Sequence, residues 1–453
     1  MKFLLTLWLS KLVAFAVNII DKTRGSNYSG MIATKLMPDF VAHFKGIDYN
    51  KVIFITGTNG KSTTTNLVGH TLTYAGKTIA SNIEGANMMG GVATTLIKNS
   101  TMGGKFNKEY LVLEIDERSL PGIRAVLPGV HMGITNLQKD QVQRNGDPDF
   151  ILRKFRGAIG RDMTLYLNNE EPRSKSLEDC AGHSFYFGAA ENSKTYQNDE
   201  FYHVTLPCPK CGHPIRYLSY NLASIGTFEC SRCSHKSEAK PDVLAENIDY
   251  EGNSFEFAGR TWTYPYGNPF YVYNYAMDIA LCRNLGLDDD TICSAIACFV
   301  NPAHRREKLT YHGKHIKYLR MKQENPETLQ SALDTIAEDT SRKAIFMGMH
   351  VVKDFLPYYS NSFYFFDCDF TPIANTPVER YVVFSSTVSY DTANRMRYAG
   401  APEDKITVLD TSDIPTVLAE LDKIKTDNIY FLTNMKPYKD FKEAFAKGAL
   451  KNG

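Results

Sequence analysis

KVIFITGTNGKSTTTNLVGH, residues 51–70, decides how the rest of the chain is read. Val52–Ile55 is a short unbroken apolar run, as expected of a strand buried on both faces. A glycine-bearing turn follows, and then a stretch with helical character. Strand, turn and helix in that order make a phosphate-binding loop. Gly57 and Gly60 let backbone amides turn inward and approach a phosphate without Cβ clashes. The helix start adds unpaired N–H groups and the positive end of its dipole. Lys61 supplies a cation for the outer phosphates, and the Ser62 hydroxyl can ligate Mg²⁺. Ile55 stands where the general pattern has its first glycine, so the loop is the shorter Gly-x-x-Gly-Lys-Ser. The expected nucleotide contacts are Gly57, Thr58, Asn59, Gly60, Lys61, Ser62 and Thr63, and the expected ligand is ATP with Mg²⁺.

Further buried strands are expected at Tyr110–Ile115, His131–Thr135 and Thr164–Asn168, alternating with helical stretches, which implies a parallel sheet covered on both faces. Glu114 ends one of these strands, where a carboxylate reaches Mg²⁺ or its waters. Helices resume at Pro269–Leu287 and Thr291–Phe299. A last domain shows strand patterns at Ala344–Met347, Phe363–Phe366, Tyr381–Ser385 and Ile429–Thr433.

Residues 201–240 break this rhythm. Cys208 and Cys211 flank two residues, Cys230 and Cys233 flank two more, and eighteen residues separate the pairs. Four thiolates at that spacing suit one tetrahedral, structural Zn²⁺ with no open position. With an odd total of 9 cysteines, the spacing points to a reducing compartment rather than a disulfide scaffold. The fold expected is therefore α/β. A P-loop-type domain on a central parallel sheet carries an inserted four-Cys zinc ribbon, and a C-terminal Rossmann-like α/β domain follows. The boundaries are 1–48 for an N-terminal helical segment, 49–300 for the central ATP-binding domain with the ribbon at about 203–240, and 301–453 for the last domain.

The chain has 453 residues, 43% hydrophobic and 22% charged, with a net charge of +1. Such a balance gives no bulk field for nucleic acid, and none is expected as a partner; a charged contact must come from a local patch. The opening stretch, MKFLLTLWLSKLVAFAVNII, imitates a signal peptide, but Lys11 interrupts an apolar run too short to span a bilayer. Three readings stand: a helix packed on its own domain, a helix lying on a membrane surface, or a cleaved signal. An ATP site downstream favours the cytoplasm, with the inner face of the membrane as the place a surface helix would reach.

ITGTNGKSTT after a buried strand resembles the Mur ligases, which join an acyl group to an amine through an acyl-phosphate. More matches follow in order: Asn82-Ile-Glu-Gly-Ala-Asn87, Leu113-Glu114, Thr135-Asn136, Asp140-Gln141 with Arg144, Asn168-Asn-Glu-Glu-Pro172, Tyr273-Asn274 and His304-Arg305-Arg306-Glu307. With the four-Cys insertion, the chain is similar to the MurT-type ligase subunits from about residue 5 to residue 440. That resemblance implies ATP-dependent phosphorylation of the D-glutamate α-carboxylate in the lipid II stem peptide. Displacement by ammonia from a GatD-like glutaminase partner, in a heterodimer, would then give D-isoglutamine. It makes Lys61, Glu114 and Arg305 catalytic candidates and places Asn274 at the nucleotide, where it opens a helix.

Two departures stand out. Counting back from Asp367-Cys368-Asp369-Phe370 places Asn361 where the family's Asp completes the partner's Cys-His pair. An Asn accepts a hydrogen bond there but cannot offset an imidazolium charge, so Asp354 or Asp367 substitutes, the glutaminase works poorly, or the ammonia source differs. Tyr271 replaces an Asn expected near the adenine. The rival readings are a Mur-type or folylpolyglutamate-synthase-like ligase with another acceptor, a non-catalytic nucleotide-binding paralogue, and a zinc-ribbon nucleic-acid binder.

Overall fold

The computed structural model describes residues 1–20, 27–82, 86–140, 142–197, 206–222, 224–301, 306–322, 324–349 and 363–450. These divide into two units, Met1–Gln138 with Asp147–Ala303 and Lys139–Gly146 with His304–Gly453.

In the first unit the apolar run at 52–55 becomes β1 (Val52–Thr56), buried at every position. Around it lie β2 (Ile79–Ser81), β3 (Tyr110–Glu114), β4 (His131–Ile134), β5 (Thr164–Asn168) and β6 (His183–Ala189). With three later strands they form a nine-stranded sheet in which β1 pairs in parallel with both β3 and β4. Because side chains alternate along a strand, β1 feeds two cores. Val52 and Phe54 join Leu111, Leu113, Met132 and Ile134 on one face, whereas Ile53 and Ile55 join Val112 and Tyr166 on the other. The expected all-parallel sheet is corrected at one end. Val243–Asp249 runs parallel to β6, but Ser254–Phe257 and Arg260–Thr263 continue antiparallel, so the sheet is mixed.

Helices cover both faces. α1 (Lys2–Ile20), α2 (Tyr28–Leu36) and α4 (Met89–Lys98) lie on the Phe54 side. There Leu7 is fully buried, and Phe3 sits 5.3 Å from the rings of Phe40 and Phe44. α3 (Lys61–Tyr74) packs on the opposite side against the helix Pro269–Asn284, held by hydrogen bonds from the Thr64 and Thr71 hydroxyls to Asn274 and Asp278.

The second unit is a six-stranded sheet in the order Arg306–Tyr311, Lys314–Met321, Asn428–Asn434, Lys343–Gly348, Val378–Phe384, Ile406–Leu409, antiparallel only at the first pair. Phe363–Phe366, expected as a strand, is a four-residue helix. A run of four apolar residues carries no period of its own, and here Tyr364 is buried beside Met349, Cys368 and Phe370 in the core that covers the sheet.

Candidate functional site

The glycines of the loop are required by its path. Gly57 and Gly60 have φ of 118° and 91°, in the region that side chains disfavour. A Cβ on Gly57 would collide with Thr135 and Asn136, and one on Gly60 would lie 2.5 Å from Asn274 Oδ1. Asn136 fixes the turn: its carbonyl accepts from the Thr58 amide at 2.8 Å and its Oδ1 from the Asn59 amide at 2.9 Å. Gly60 then caps α3 without a side-chain acceptor, leaving the first turn of the helix to face the loop's hollow.

Lys61 begins α3, and its ammonium is buried. Nζ donates to the carbonyl of Gly57, to that of Thr58 at 3.3 Å, and to Glu117 Oε1 at 2.7 Å. Glu117 is equally buried, so the pair is shielded from water. In the sequence Glu117 read as an acidic residue after the strand, and nothing there marked it as the partner of the loop lysine. Its distance of 56 residues from Lys61 is closed only by the parallel pairing of β1 with β3.

Glu114 ends β3. Its Oε1 accepts from Asn87 Nδ2 at 3.0 Å, and its backbone is clamped by Asn82, whose side chain takes the Glu114 amide and donates to its carbonyl. Glu114 Oε2 is buried with no hydrogen-bond partner, as is Asn59 Oδ1. Buried acceptors are rarely left unpaired, and a carboxylate oxygen in that state beside a phosphate loop suits a hard divalent cation. Ser62 and Thr63 are half-buried at the start of α3, and Asn301 Nδ2 lies 3.3 Å from Thr63 Oγ1.

Asn274, expected to open a helix, is the sixth residue of the helix that Asn268 caps, and its Oδ1 meets Thr64 and Gly60. Tyr271 stacks on Tyr266 at 5.1 Å and takes a hydrogen bond from Asn301. The Asn168–Glu171 turn is structural in its contacts. Glu171 caps the helix Pro172–Lys175 and accepts from the Leu137 amide. Glu170 is buried against Ala189, and burial pushes its carboxyl up to about 7. Arg305, Asn361 and Asp354 lie outside the described residues, as do Ile83–Gly85, Gln141 and the side chain of Arg144. Asp367 is paired with Lys139 at 2.9 Å.

The four cysteines converge. Cys208, Cys211, Cys230 and Cys233 have their sulfurs within 4.8 Å of one another and form no disulfide. Cys208 lies 3.7 Å from Cys233, and Cys211 lies 3.5 Å from Cys230. Thiolates at the corners of a tetrahedron around zinc, each ~2.3 Å from it, would be roughly 3.8 Å apart, so the donor set fits such an ion. Burial opposes ionisation of Cys230, but hydrogen bonds from the amides of Cys233 and Arg232 together with the neighbouring Cys211 and Cys233 thiols bring that thiol down to about 6. The pairs sit on a three-stranded sheet of Leu206–Pro207, Pro214–Tyr217 and Phe228–Cys230 with its own core of Ile215, Tyr217, Tyr220 and Phe228. Lys210 ties this module to Glu178 and Asp179, and Ser224 receives a hydrogen bond from Gln138. Gln138 in turn accepts from Asn59 in the phosphate loop.

Residues 323–436 match the family described as MurT ligase C-terminal. The chain is 27% identical over 384 residues, 83% of each chain, to the MurT subunit of the glutamine-hydrolysing lipid II isoglutaminyl synthase of Staphylococcus aureus strain COL. It is 25% identical over 432 residues, 93% of each chain, to the corresponding subunit of Streptococcus pneumoniae R6. In fold it is similar to a pseudomurein peptide ligase type C from Methanothermus fervidus, with a TM-score of 0.66 and 18% identity over 90% of this chain and 81% of that one.

Proposed function

We propose that this chain, similar to MurT subunits at 25–27% identity and matching the MurT C-terminal family over residues 323–436, is a divergent Mur-type ligase subunit that amidates the D-glutamate α-carboxylate of a lipid II-type stem peptide. The carboxylate attacks the γ-phosphorus of ATP, forming a C–O–P bond and expelling ADP. Ammonia then attacks the acyl carbon, phosphate leaves, and the nitrogen loses a proton to give D-isoglutamine. A GatD-like glutaminase subunit supplies the ammonia, and the work is done in the cytoplasm at the membrane face where a lipid-linked acceptor is presented.

One observation carries the reading: a buried lysine ammonium opens α3 under a turn in which only glycine fits, with an unpartnered Glu114 oxygen nearby. Lys61 neutralises charge on the phosphoryl group as it transfers, which is most of what such a site must do. Gly57 to Thr63 hold the phosphates, and Asn274 fixes α3 behind them. Ser62 and Glu114 would hold Mg²⁺, which supplies further charge neutralisation. Zn²⁺ is the occupant proposed for the four cysteines, in a ribbon whose role is structural. Arg305 and Asn361 keep their proposed parts, the first toward the acyl-phosphate and the second toward the partner's histidine. The test is amidation of a D-glutamate-containing precursor, read by mass, with ATP and either glutamine or ammonium, using the chain copurified with its partner. Wild type forms the amide and Lys61→Ala does not. ATP-dependent ligation of an amino acid in place of ammonia would overturn the acceptor chemistry.

A further inference from the structure

α1 is turned inside out for a helix that packs on a water-soluble domain. At about 100° per residue, Thr6, Leu7, Ser10 and Ala14 share the arc that faces the core, and all four are buried. The opposite arc carries Leu5, Trp8, Leu9, Leu12 and Phe15, exposed by 57, 45, 45, 64 and 66%. The buried face therefore holds a serine and a threonine, and among the described side chains from Leu5 onward the solvent arc is apolar and large or aromatic at every position but Ala16. Lys11, at the edge of the buried arc, is held by the carbonyls of Ile97 and Ser100. The register is thus set by hydrogen bonds as well as by packing. The exposed surface continues beyond the helix, because the Trp8 indole donates to the carbonyl of Met102, itself 59% exposed.

Charge says what such a face meets. Residues 1–48 carry Lys2, Lys11, Lys22, Arg24, Lys35 and Lys45 against Asp21, Asp39 and Asp48, a net +3 in a chain whose total is +1. Lys98 and Lys105 flank Met102 with no acidic residue between them, and both are exposed, as are Lys2 and Lys35. A contiguous apolar arc bordered by lysines matches the acyl boundary and headgroups of an anionic bilayer. The arc offers no side-chain hydrogen-bonding group except the Trp8 N–H, which is already used. Lipid demands none, whereas a protein interface of this size would carry several. No described helix is long and apolar enough to cross a membrane, so α1 would lie along the surface.

We propose that the solvent-facing arc of α1, with Met102 beside it, seats this chain on an anionic lipid surface. This deepens the membrane-proximal reading above. The assay contains neither nucleotide nor acceptor, so its failure would leave the ligase reading, tested on a soluble precursor, intact. The full chain is sedimented with vesicles of phosphatidylcholine alone or with about one-third phosphatidylglycerol, at low and high salt. Wild type should pellet with the anionic vesicles and be released by salt. Leu9→Glu/Leu12→Glu should weaken binding at least about tenfold with an unchanged melting curve, because both positions are exposed. Leu12→Trp should strengthen it. The proposal is overturned if wild type stays in solution with anionic vesicles, or if the double variant pellets equally. It is also overturned if the arc instead holds a second copy, seen as a wild-type dimer that the double variant reduces to monomer while vesicles bind neither.

Discussion

Replacing Glu117 by Gln separates the two demands placed on Lys61. In this structure the ammonium is held by a carboxylate at 2.7 Å and by two carbonyls, all out of water. To reach a phosphate it must loosen that carboxylate bond. A buried hydrogen bond to a charged acceptor contributes about 1.5–3 kcal/mol, against about 0.5–1.5 for a neutral one. Glu117→Gln therefore removes roughly 1–1.5 kcal/mol of competition, or about tenfold in affinity. In the free protein the ammonium then stays buried without its counter-charge, which costs about 3–5 kcal/mol and lowers the melting midpoint by several degrees. Calorimetric titration of ADP in EDTA should thus show tighter binding to a less stable protein. Lys61→Ala, with the ammonium gone, should show none. If Glu117→Gln melts lower but binds ADP no better than wild type, the carboxylate is not competing with phosphate for Lys61, and the role given to this pair is wrong.

Asp278 is fully buried beneath α3, and desolvation pushes its carboxyl from 3.8 up to about 7 despite hydrogen bonds from Thr71 and Cys282. The folded state then holds a proton that the unfolded state releases. Stability is fully present below about pH 4 and is lost as pH rises through about 7, by about 4 kcal/mol in all. Asp278→Asn should flatten that slope and raise the denaturation midpoint at pH 8, and an unchanged slope would count against burial as its source. Gly60→Ala forces a Cβ to 2.5 Å from Asn274 Oδ1 at a φ of 91°, so it should cost a few kcal/mol in urea melts and abolish nucleotide binding. Metal analysis should find one zinc per chain, and Cys230→Ser should lose it. Because Gln138 links Ser224 to Asn59, that variant should also weaken ADP binding severalfold, and full retention of ADP affinity would show the module to be independent of the loop.

What could be read in the sequence was whatever local spacing encodes. Val52–Ile55 announces a buried strand because both of its faces are apolar, and the structure buries both. The Cys-x-x-Cys pairs announce four convergent sulfurs because each knuckle positions its own two thiols, and the described structure brings all four together. Phe363–Phe366 misled because four apolar residues fit either period, and the choice was made by neighbours far along the chain. The antiparallel end of the large sheet was missed for a related reason. Asn253 and the Ala258-Gly259 pair turn the chain with positive φ, and Ala258 among them is a residue that does not advertise a hairpin.

Glu117 belongs to a different class of miss, and it bears on how the site works. Its pattern is that of any acidic residue after a strand, and only the parallel register of β1 and β3 sets it against Lys61. Glu114 sits three residues earlier and keeps one oxygen unpartnered while its backbone is locked by Asn82. Two carboxylates from one strand end thus differ in what they lack. Glu117 is paired with the Lys61 ammonium, whereas Glu114 has a buried oxygen with no hydrogen-bond partner. Nucleotide binding with a divalent ion would satisfy both at once, by drawing Lys61 toward phosphate and giving Glu114 Oε2 a partner. On the proposed reading, the metal–nucleotide complex, rather than the nucleotide alone, should be the ligand that best matches these charges, and ADP should bind more tightly with Mg²⁺ than in EDTA.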